Sequence, residues 1–481
     1  MYKVTIGLEI HCELTTNSKV FSTSKNEYNE MPNSNLSTID LGFPGILPAV
    51  NKEAVNKSVK LALALNCKVP NKLIFDRKNY YYPDLPKGYQ ITQASNPIGT
   101  NGYLDIDVNN NIKKILIHDI HLEEDTASLD HYNDYSLIDY NRAGVPLIEI
   151  VTEPCINSTT EALAFLESLR SLIVYCNASE ARSDRGQIRC DVNISLSNTD
   201  KLGNKVEMKN INSFNGVKLA IEYEIRRQTE LLNNNEEVIQ ETRRFDDKTS
   251  STIRMRTKVD AIDYKYFTEP NIPIINLTND YIENIKKEVP ILQFERITKY
   301  VNEYNISKKD AETLTKSKEV SDFFDECINL NINPQKAANW INSMLLGYLN
   351  TNSTSIKDIN PSLIGNLIDL TDTNAISSKQ AKEVFLKALE LNKNPKDIVI
   401  EENISQLDND DELIKIIDEV LEENIEQVKD YTEEKYRMID FFVGQVMKKT
   451  KGQANPSKTM DMIKNKIKQI NNNWYILLKD I

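Results

Sequence analysis

A glutamate and a histidine two residues apart on one side of a regular strand are the first residues in this chain that could do chemistry. In Lys3-Val-Thr-Ile-Gly-Leu-Glu-Ile-His-Cys-Glu-Leu14, the set Val4, Ile6, Leu8, Ile10, Cys12 and Leu14 alternates with one that holds Glu9, His11 and Glu13. Successive side chains of a strand point to opposite faces, so a carboxylate and an imidazole stand roughly 7 Å apart along one face. Three later segments repeat the pattern. Ile117–Asp125 puts Asp119, His121 and Glu123 on one face, with Glu124 turned the other way unless the strand has ended. Arg189–Leu196 sets Arg189, Asp191, Asn193 and Ser195 against Cys190, Val192, Ile194 and Leu196, and Val206–Asn210 puts Glu207 on the same side as Lys209. Carboxylate oxygens with one imidazole could bind a divalent metal, and with metal they could bind phosphate. A solvated sheet face has the same alternation. Three of the chain's four histidines lie on these strands, which weighs toward a site.

The loop Phe75–Gln93 supplies what such a site would need around it. Arg77, Lys78 and Lys87 could meet phosphate oxygens, and Tyr80, Tyr81 and Tyr82 offer hydroxyls and stacking surfaces. The same loop could also be an aromatic-anchored proline turn. There is no G-x-x-x-x-G-K-[ST] and no dinucleotide fingerprint, so a nucleotide is not expected on a P-loop. There is neither a G-x-S-x-G elbow nor a Gly/Ser-rich amidase loop, which argues against covalent catalysis by serine or cysteine.

Positioning these residues takes more than one core, and 481 residues predict two or three domains. Residues 1–292 read as mixed strand and helix, with helices over 52–65, 159–175 and 214–232 and a proline-punctuated linker at Thr268–Asn276. Residues 293–405 read as short helices capped by Ser307, Ser321 and Ser377. A polar linker at 403–411 precedes three apolar stripes: Leu413, Ile416, Ile417, Val420 and Leu421; Tyr436, Ile439, Val443 and Met447; and Met460, Ile463, Ile467 and Ile470. This last unit, 406–481, is rich in lysine, including Lys448, Lys449, Lys451, Lys458, Lys464, Lys466 and Lys468. The whole chain carries 58 basic and 71 acidic residues, a net charge of −13, which argues against a general nucleic-acid binder but leaves room for a local basic face. Six scattered cysteines without zinc spacing, no membrane-length apolar run and no secretory pattern predict a reduced cytoplasmic protein.

In order along the chain, IGLEIHCEL, LGFPGILPAVN, FDRKNYYYPDLPKGYQITQ, IHLEEDTAS, DYNRAGVPLIEIVTEP, RCDVNIS, EMKNINSF, ETRRFDD, MRTKVDAIDYKYF and FFVGQVMKKTKGQANP resemble the B subunits of tRNA-dependent amidotransferases. The resemblance implies an α+β fold: a cradle-shaped mixed-sheet catalytic domain, then an all-α helical domain and a small helical tail domain that hold tRNA. It implies a ligase that uses ATP and Mg²⁺ to phosphorylate the misacylated glutamyl or aspartyl carboxylate. Ammonia then arrives from a glutaminase, the A subunit, with a small C subunit clasping the two. Carried over by motif, Glu9, His11, Glu123 or Glu124, and Glu207 look like magnesium ligands. Arg77, Lys78, Tyr80, Asp191, Asn193 and Lys209 look like nucleotide contacts. Lys78, Tyr81, Lys87 and Glu124 look like the polar path for ammonia, with Lys209 among the catalytic residues. Lys448, Lys449 and Lys451 are the expected tRNA contacts.

One departure stands out. Ser183-Asp-Arg-Gly186 replaces a Met-Glu-Glu-Gly pattern, so an acid has become Arg185, a further candidate for phosphate. The change is the one support for a competing reading, a tRNA-binding adapter that has lost the phosphoryl chemistry. A free-standing metal hydrolase is a third reading, in which the helical appendages would be idle.

Overall fold

The computed structural model describes residues 2–28, 31–257, 263–404, 410–429, 437–450 and 453–477. The chain divides into two compact units, residues 1–295 and 296–481. A mixed-sheet unit is followed by a helical region, which is the α+β class expected.

The first unit is built on an open eight-stranded sheet. Its strands run, in spatial order, Ser251–Thr257, Glu241–Asp246, Val206–Lys209, Ile188–Ser197, Lys3–Glu13, Pro146–Thr152, Asn111–Glu124 and Gly99–Val108. All neighbours are antiparallel except Val206–Lys209 beside Glu241–Asp246, which are parallel. The alternation read from the first strand holds: Ile6, Leu8, Ile10 and Cys12 are fully buried on one face. Helices Lys52–Ala64, Thr159–Tyr175 and Phe214–Asn233 contribute Val59, Leu61, Phe165, Leu166, Leu169, Val217 and Ile221 to the same core. Each such side chain contributes about 1.5–3 kcal/mol on burial. Asn51, Ser158 and Ser213 start these helices, each side chain accepting a first-turn backbone N–H. With one face of the sheet closed largely by apolar packing, Glu9, His11, Glu123, Glu149, Asp191 and Glu207 gather on the other.

One reading of this half needs correction. Thr268–Asn276 is no linker. Phe267–Thr268 pairs with Asp76 and Arg77, Ile275–Asn276 pairs with Lys72 and Leu73, and Glu269 between them is buried. Its prolines break the segment into strands two residues long, too short to show a period. Elsewhere Gly144 does a specific job: its φ of +85° turns the chain out of Tyr140–Arg142 and into strand Pro146–Thr152.

The second unit holds two apolar cores. Helices between Lys308 and Glu401 close one around Tyr300, Phe324, Ile341, Leu367 and Phe385. Ser307 and Ser377 cap helices as expected, but Ser321 lies inside helix Lys318–Asn329, which Ser317 caps. The Ser321 hydroxyl instead donates to the carbonyls of Leu314 and Ser317. The other core joins Leu413, Ile417, Val420, Leu421, Ile439, Val443, Ile463 and Ile467, with Ile416, Met447, Met460 and Ile470 at its margin. Tyr436 lies outside the described residues. Besides the three striped helices there is a short one, Ile425–Lys429, that brings in Val428.

Candidate active site

Register, more than sequence spacing, assembles the polar face. Opposite Glu149 on its two neighbouring strands stand His11 and His121, giving a rung His121–Glu149–His11–Arg189 across four strands. The next rung runs Asp119–Val151–Glu9–Asp191, and the one beyond carries Asn193, Glu207 and Thr242. Side chains directly opposite on one face are close enough to interact, so each rung is a row of potential partners.

Two acidic groups result. In the first, ligand atoms of His11, Glu123 and Glu149 all lie within 4.8 Å of one another. His121 Nε2 meets Glu149 Oε2 at 2.8 Å, and His11 Nε2 faces the same oxygen at 3.5 Å. Burial would raise the Glu149 carboxyl, but His11 and His121 hold it well below the usual range. Burial likewise opposes charge on His121, yet Asp119 and Glu149 lift it to about 10. For Glu123 the balance falls the other way, although Lys78, His121 and His11 oppose the shift. Burial and then the charge of Glu149 push its carboxyl up, and its Oε2 is buried without a hydrogen-bond partner. A buried, unpaired acceptor is costly, and a divalent cation between these three residues would satisfy it. The donor set therefore fits a metal.

The second group is Glu9, Asp191 and Glu207, again within 4.8 Å of one another. Here the positive charge is covalent: Lys209 Nζ lies 2.6 Å from Asp191 Oδ2 and 3.0 Å from Glu207 Oε1. Asn193 Nδ2 donates to Glu9 Oε1 at 2.8 Å, and the Thr242 hydroxyl donates to Glu207 Oε2 at 2.8 Å. Asn193 Oδ1 is buried without a partner, a further oxygen open to a cation.

The Phe75–Gln93 loop splits between the site and its support. Strand Asp76–Asn79 turns Lys78 toward the first group; burial would lower its amine, but Glu123 nearby raises it. The ammonium sits 5.1 Å from the Tyr264 ring centroid and 5.9 Å from that of Tyr80. Arg77 leaves the other side of that strand, forms a bidentate pair with buried Glu269, and stacks 4.0 Å over Tyr89. Tyr81 is 96% exposed. Lys87 and Glu124 form a buried pair at 2.5 Å, and Glu124 also accepts the Ile91 N–H at 2.9 Å.

Comparison with known proteins identifies the family. The family described as the GatB/GatE catalytic domain matches residues 4–283, and the one described as the GatB domain matches residues 322–467. The B subunit of the aspartyl/glutamyl-tRNA(Asn/Gln) amidotransferase of Persephonella marina is 45% identical over 460 residues, 95% of this chain and 97% of the relative. That of Geobacillus thermodenitrificans has the same identity and coverage, and that of Brevibacillus brevis is 43% identical over 468 residues, 96% of this chain and 98% of the relative. The chain belongs to the family of amidotransferase B subunits.

Within the frame of such a B subunit, the structure redraws several expected roles. Glu9 and His11 do not converge on one cation set: Glu9 groups with Asp191 and Glu207, while His11 groups with Glu123 and Glu149. Of the two acids in His-Leu-Glu-Glu, Glu123 joins the set, and Glu124 points to the other face and pairs with Lys87. Arg77, expected as a phosphate contact, pairs with Glu269 on the side of its strand away from Lys78. Asp191 and Asn193, expected beside the nucleotide, take part in the second acidic group. Tyr80 packs edge-on against Tyr264, its hydroxyl 3.4 Å from Gln90 Oε1. Glu149 was missed. Its signal is a lone carboxylate in Pro-Leu-Ile-Glu-Ile-Val-Thr, a strand that reads as apolar until its register is known. Glu13, on the expected polar face, is buried beside Asp125, which with burial pushes its carboxyl up to about 7. The altered turn is self-contained: Asp184 pairs with Arg182, and Arg185 Nη1 lies 3.6 Å from Glu180.

In the second unit Lys448 is exposed, and Lys449 pairs with Glu419 at 3.2 Å and Glu423 at 2.7 Å. Lys466 pairs with Asp418 at 2.8 Å, while Lys451 lies outside the described residues. No helix among the described residues is long and apolar enough to cross a membrane.

Proposed function

We propose that this chain is the carboxylate-activating subunit of a tRNA-dependent amidotransferase, acting in the cytoplasm with a glutaminase A subunit and a small C subunit. The γ-phosphoryl of ATP passes to a carboxylate oxygen of misacylated Glu-tRNA(Gln) or Asp-tRNA(Asn), giving an acyl phosphate and ADP. Ammonia from the glutaminase attacks the carbonyl carbon, phosphate leaves, and the amide forms. A bare carboxylate is a poor electrophile, and phosphorylation supplies the leaving group. The observation that carries this reading is the buried, unpaired Glu123 oxygen among His11 and Glu149, with Lys78 directed at it. His11, Glu123 and Glu149 would hold Mg²⁺, which neutralises phosphate charge and aligns the transferring group. Lys78 brings a fixed positive charge to the same place, and Lys209 with Asn193 borders it on the adjoining rungs. The buried Lys87–Glu124 pair supports a polar route by which ammonia enters.

The altered turn does not favour the adapter reading: Asp184 pairs with Arg182, Arg185 lies near Glu180, and neither belongs to an acidic group. The test uses the reconstituted complex with each misacylated tRNA. ATP hydrolysis dependent on misacylated tRNA is expected, and a His11→Ala, Glu149→Gln double substitution should abolish it while glutaminase activity persists. Amidation by the doubly substituted complex at the unsubstituted rate would refute the assignment. Purified alone, the chain should amidate misacylated tRNA with ammonium and not with glutamine.

A further inference from the structure

Glu149 is gripped from two sides, and only one grip survives cation binding. His11 Nε2 faces Glu149 Oε2, and a cation held by that nitrogen takes the lone pair and removes the donor. His121 stands on the other neighbouring strand, opposite Glu149 in register, with Nε2 2.8 Å from the same oxygen. Behind it, His121 Nδ1 meets Asp119 Oδ1 at 3.2 Å, and the second Asp119 oxygen meets His118 Nδ1 at 2.6 Å. A carboxylate on each side leaves the ring to donate from both nitrogens. Across the rung from Asp119 is Val151, which offers no competing polar partner.

We propose that His121 is a positioning residue that aims Glu149 into the cation set, with Asp119 acting through it. This rests on the proposed function only in taking His11, Glu123 and Glu149 as cation ligands. His121 is outside the converging group of ligand atoms, so its part is orientation rather than ligation. A glutamate side chain has three torsions, and a hydrogen bond to a fixed ring removes much of that freedom. Partners behind a ligand fix its geometry, and losing one typically weakens metal affinity by about 10- to 100-fold.

The experiment titrates Mn²⁺, a spectroscopic stand-in for Mg²⁺, into the full-length chain and its variants, followed by electron paramagnetic resonance. His121→Gln keeps one donor and loses the relay; it should weaken Mn²⁺ binding by about 10- to 100-fold. Asp119→Ala should weaken it less, and the double variant should bind no worse than His121→Gln alone, because the pair acts as one unit. Metal-free melting temperatures identify any variant that has lost the fold, and His121→Asn replaces His121→Gln if needed. The nitrogen coupling from His11 should persist in every variant. Unchanged Mn²⁺ affinity in folded His121 variants overturns the relay alone, and so does a nitrogen coupling that disappears with His121, since that makes it a ligand. Absence of saturable Mn²⁺ binding in the unsubstituted chain overturns the cation set itself and the relay with it.

Discussion

The two acidic groups share one sheet face and differ in how their charge is balanced. Around Glu9, Asp191 and Glu207 the counter-charge is built in, because Lys209 on its long stem reaches two carboxylates at once. Around His11, Glu123 and Glu149 the positive groups are His11 and His121, which both address Glu149, and Lys78, which faces Glu123. None of them hydrogen-bonds Glu123 Oε2, which stays a bare buried oxygen. Which oxygens are left without a donor thus decides which group depends on an added cation. The lysine-bridged group is close to self-sufficient, while the imidazole group is arranged for something that is not protein.

Removing acids from the imidazole group should break the comparison most visibly. Glu149→Ala should lower carboxylate activation in the reconstituted complex by about 10²–10³-fold or more, the scale of losing a group that sets transition-state charge. Glu123→Gln should also lose activity, yet in the presence of chelator it should stabilise the chain by about 1–3 kcal/mol, because burial and Glu149 outweigh what Lys78 and the imidazoles return to that carboxylate. Urea unfolding with EDTA measures this. A Glu123→Gln chain less stable than the parent under those conditions would mean that Lys78 already compensates Glu123 in full.

The lysine-bridged group should answer with the opposite sign. Lys209→Met strips two carboxylates of their partner. Breaking a fully buried pair costs about 3–5 kcal/mol; Lys209 is 32% exposed, so solvent screening reduces the expected loss to about 1–2 kcal/mol. Mn²⁺ should then raise the melting temperature of Lys209→Met more than that of the parent, since the cation replaces the ammonium. Equal stabilisation of both chains would show that Lys209 does not compete with metal. Smaller still is Thr242→Val, which removes one hydrogen bond to Glu207 and should cost about 1 kcal/mol. Thr242→Ser should restore it.

Much of this site was legible in the sequence because strand periodicity is a local signal. Glu9, His11, Glu123, Asp191, Asn193, Glu207 and Lys209 all stand on the face that alternation assigned them. What alternation cannot supply is which strands are neighbours and at what offset. Glu149 became a partner of His11 and His121 only through the pairing of Pro146–Thr152 with strands on both sides. The same gap put Glu9 and His11 into one cation set, when the rungs send them to different groups. Arg77 is a second instance. Its counter-ion Glu269 lies 192 residues away in a segment whose prolines hide its strands. The helices were easier, since Asn51, Ser158 and Ser213 mark their starts from adjacent residues.

The last contrast carries the lesson of Lys209 into the second unit: a lysine already paired with carboxylates has less to offer an anion. Lys449 pairs with both Glu419 and Glu423, whereas Lys448 is exposed and in no ion pair among the described residues. From the sequence both are expected to meet tRNA phosphate. Each phosphate contact contributes about one unit to the dependence of log affinity on log salt concentration. Lys448→Ala should therefore weaken tRNA binding and reduce that slope by about one. Lys449→Ala should change the slope by much less, because releasing Glu419 and Glu423 cancels what the lysine gives. Affinities of the reconstituted complex for tRNA across a salt series measure both. Equal slopes for the two variants, each about one below the parent, would show that tRNA draws Lys449 away from its acids. Slopes unchanged in both would make this face a solvated surface.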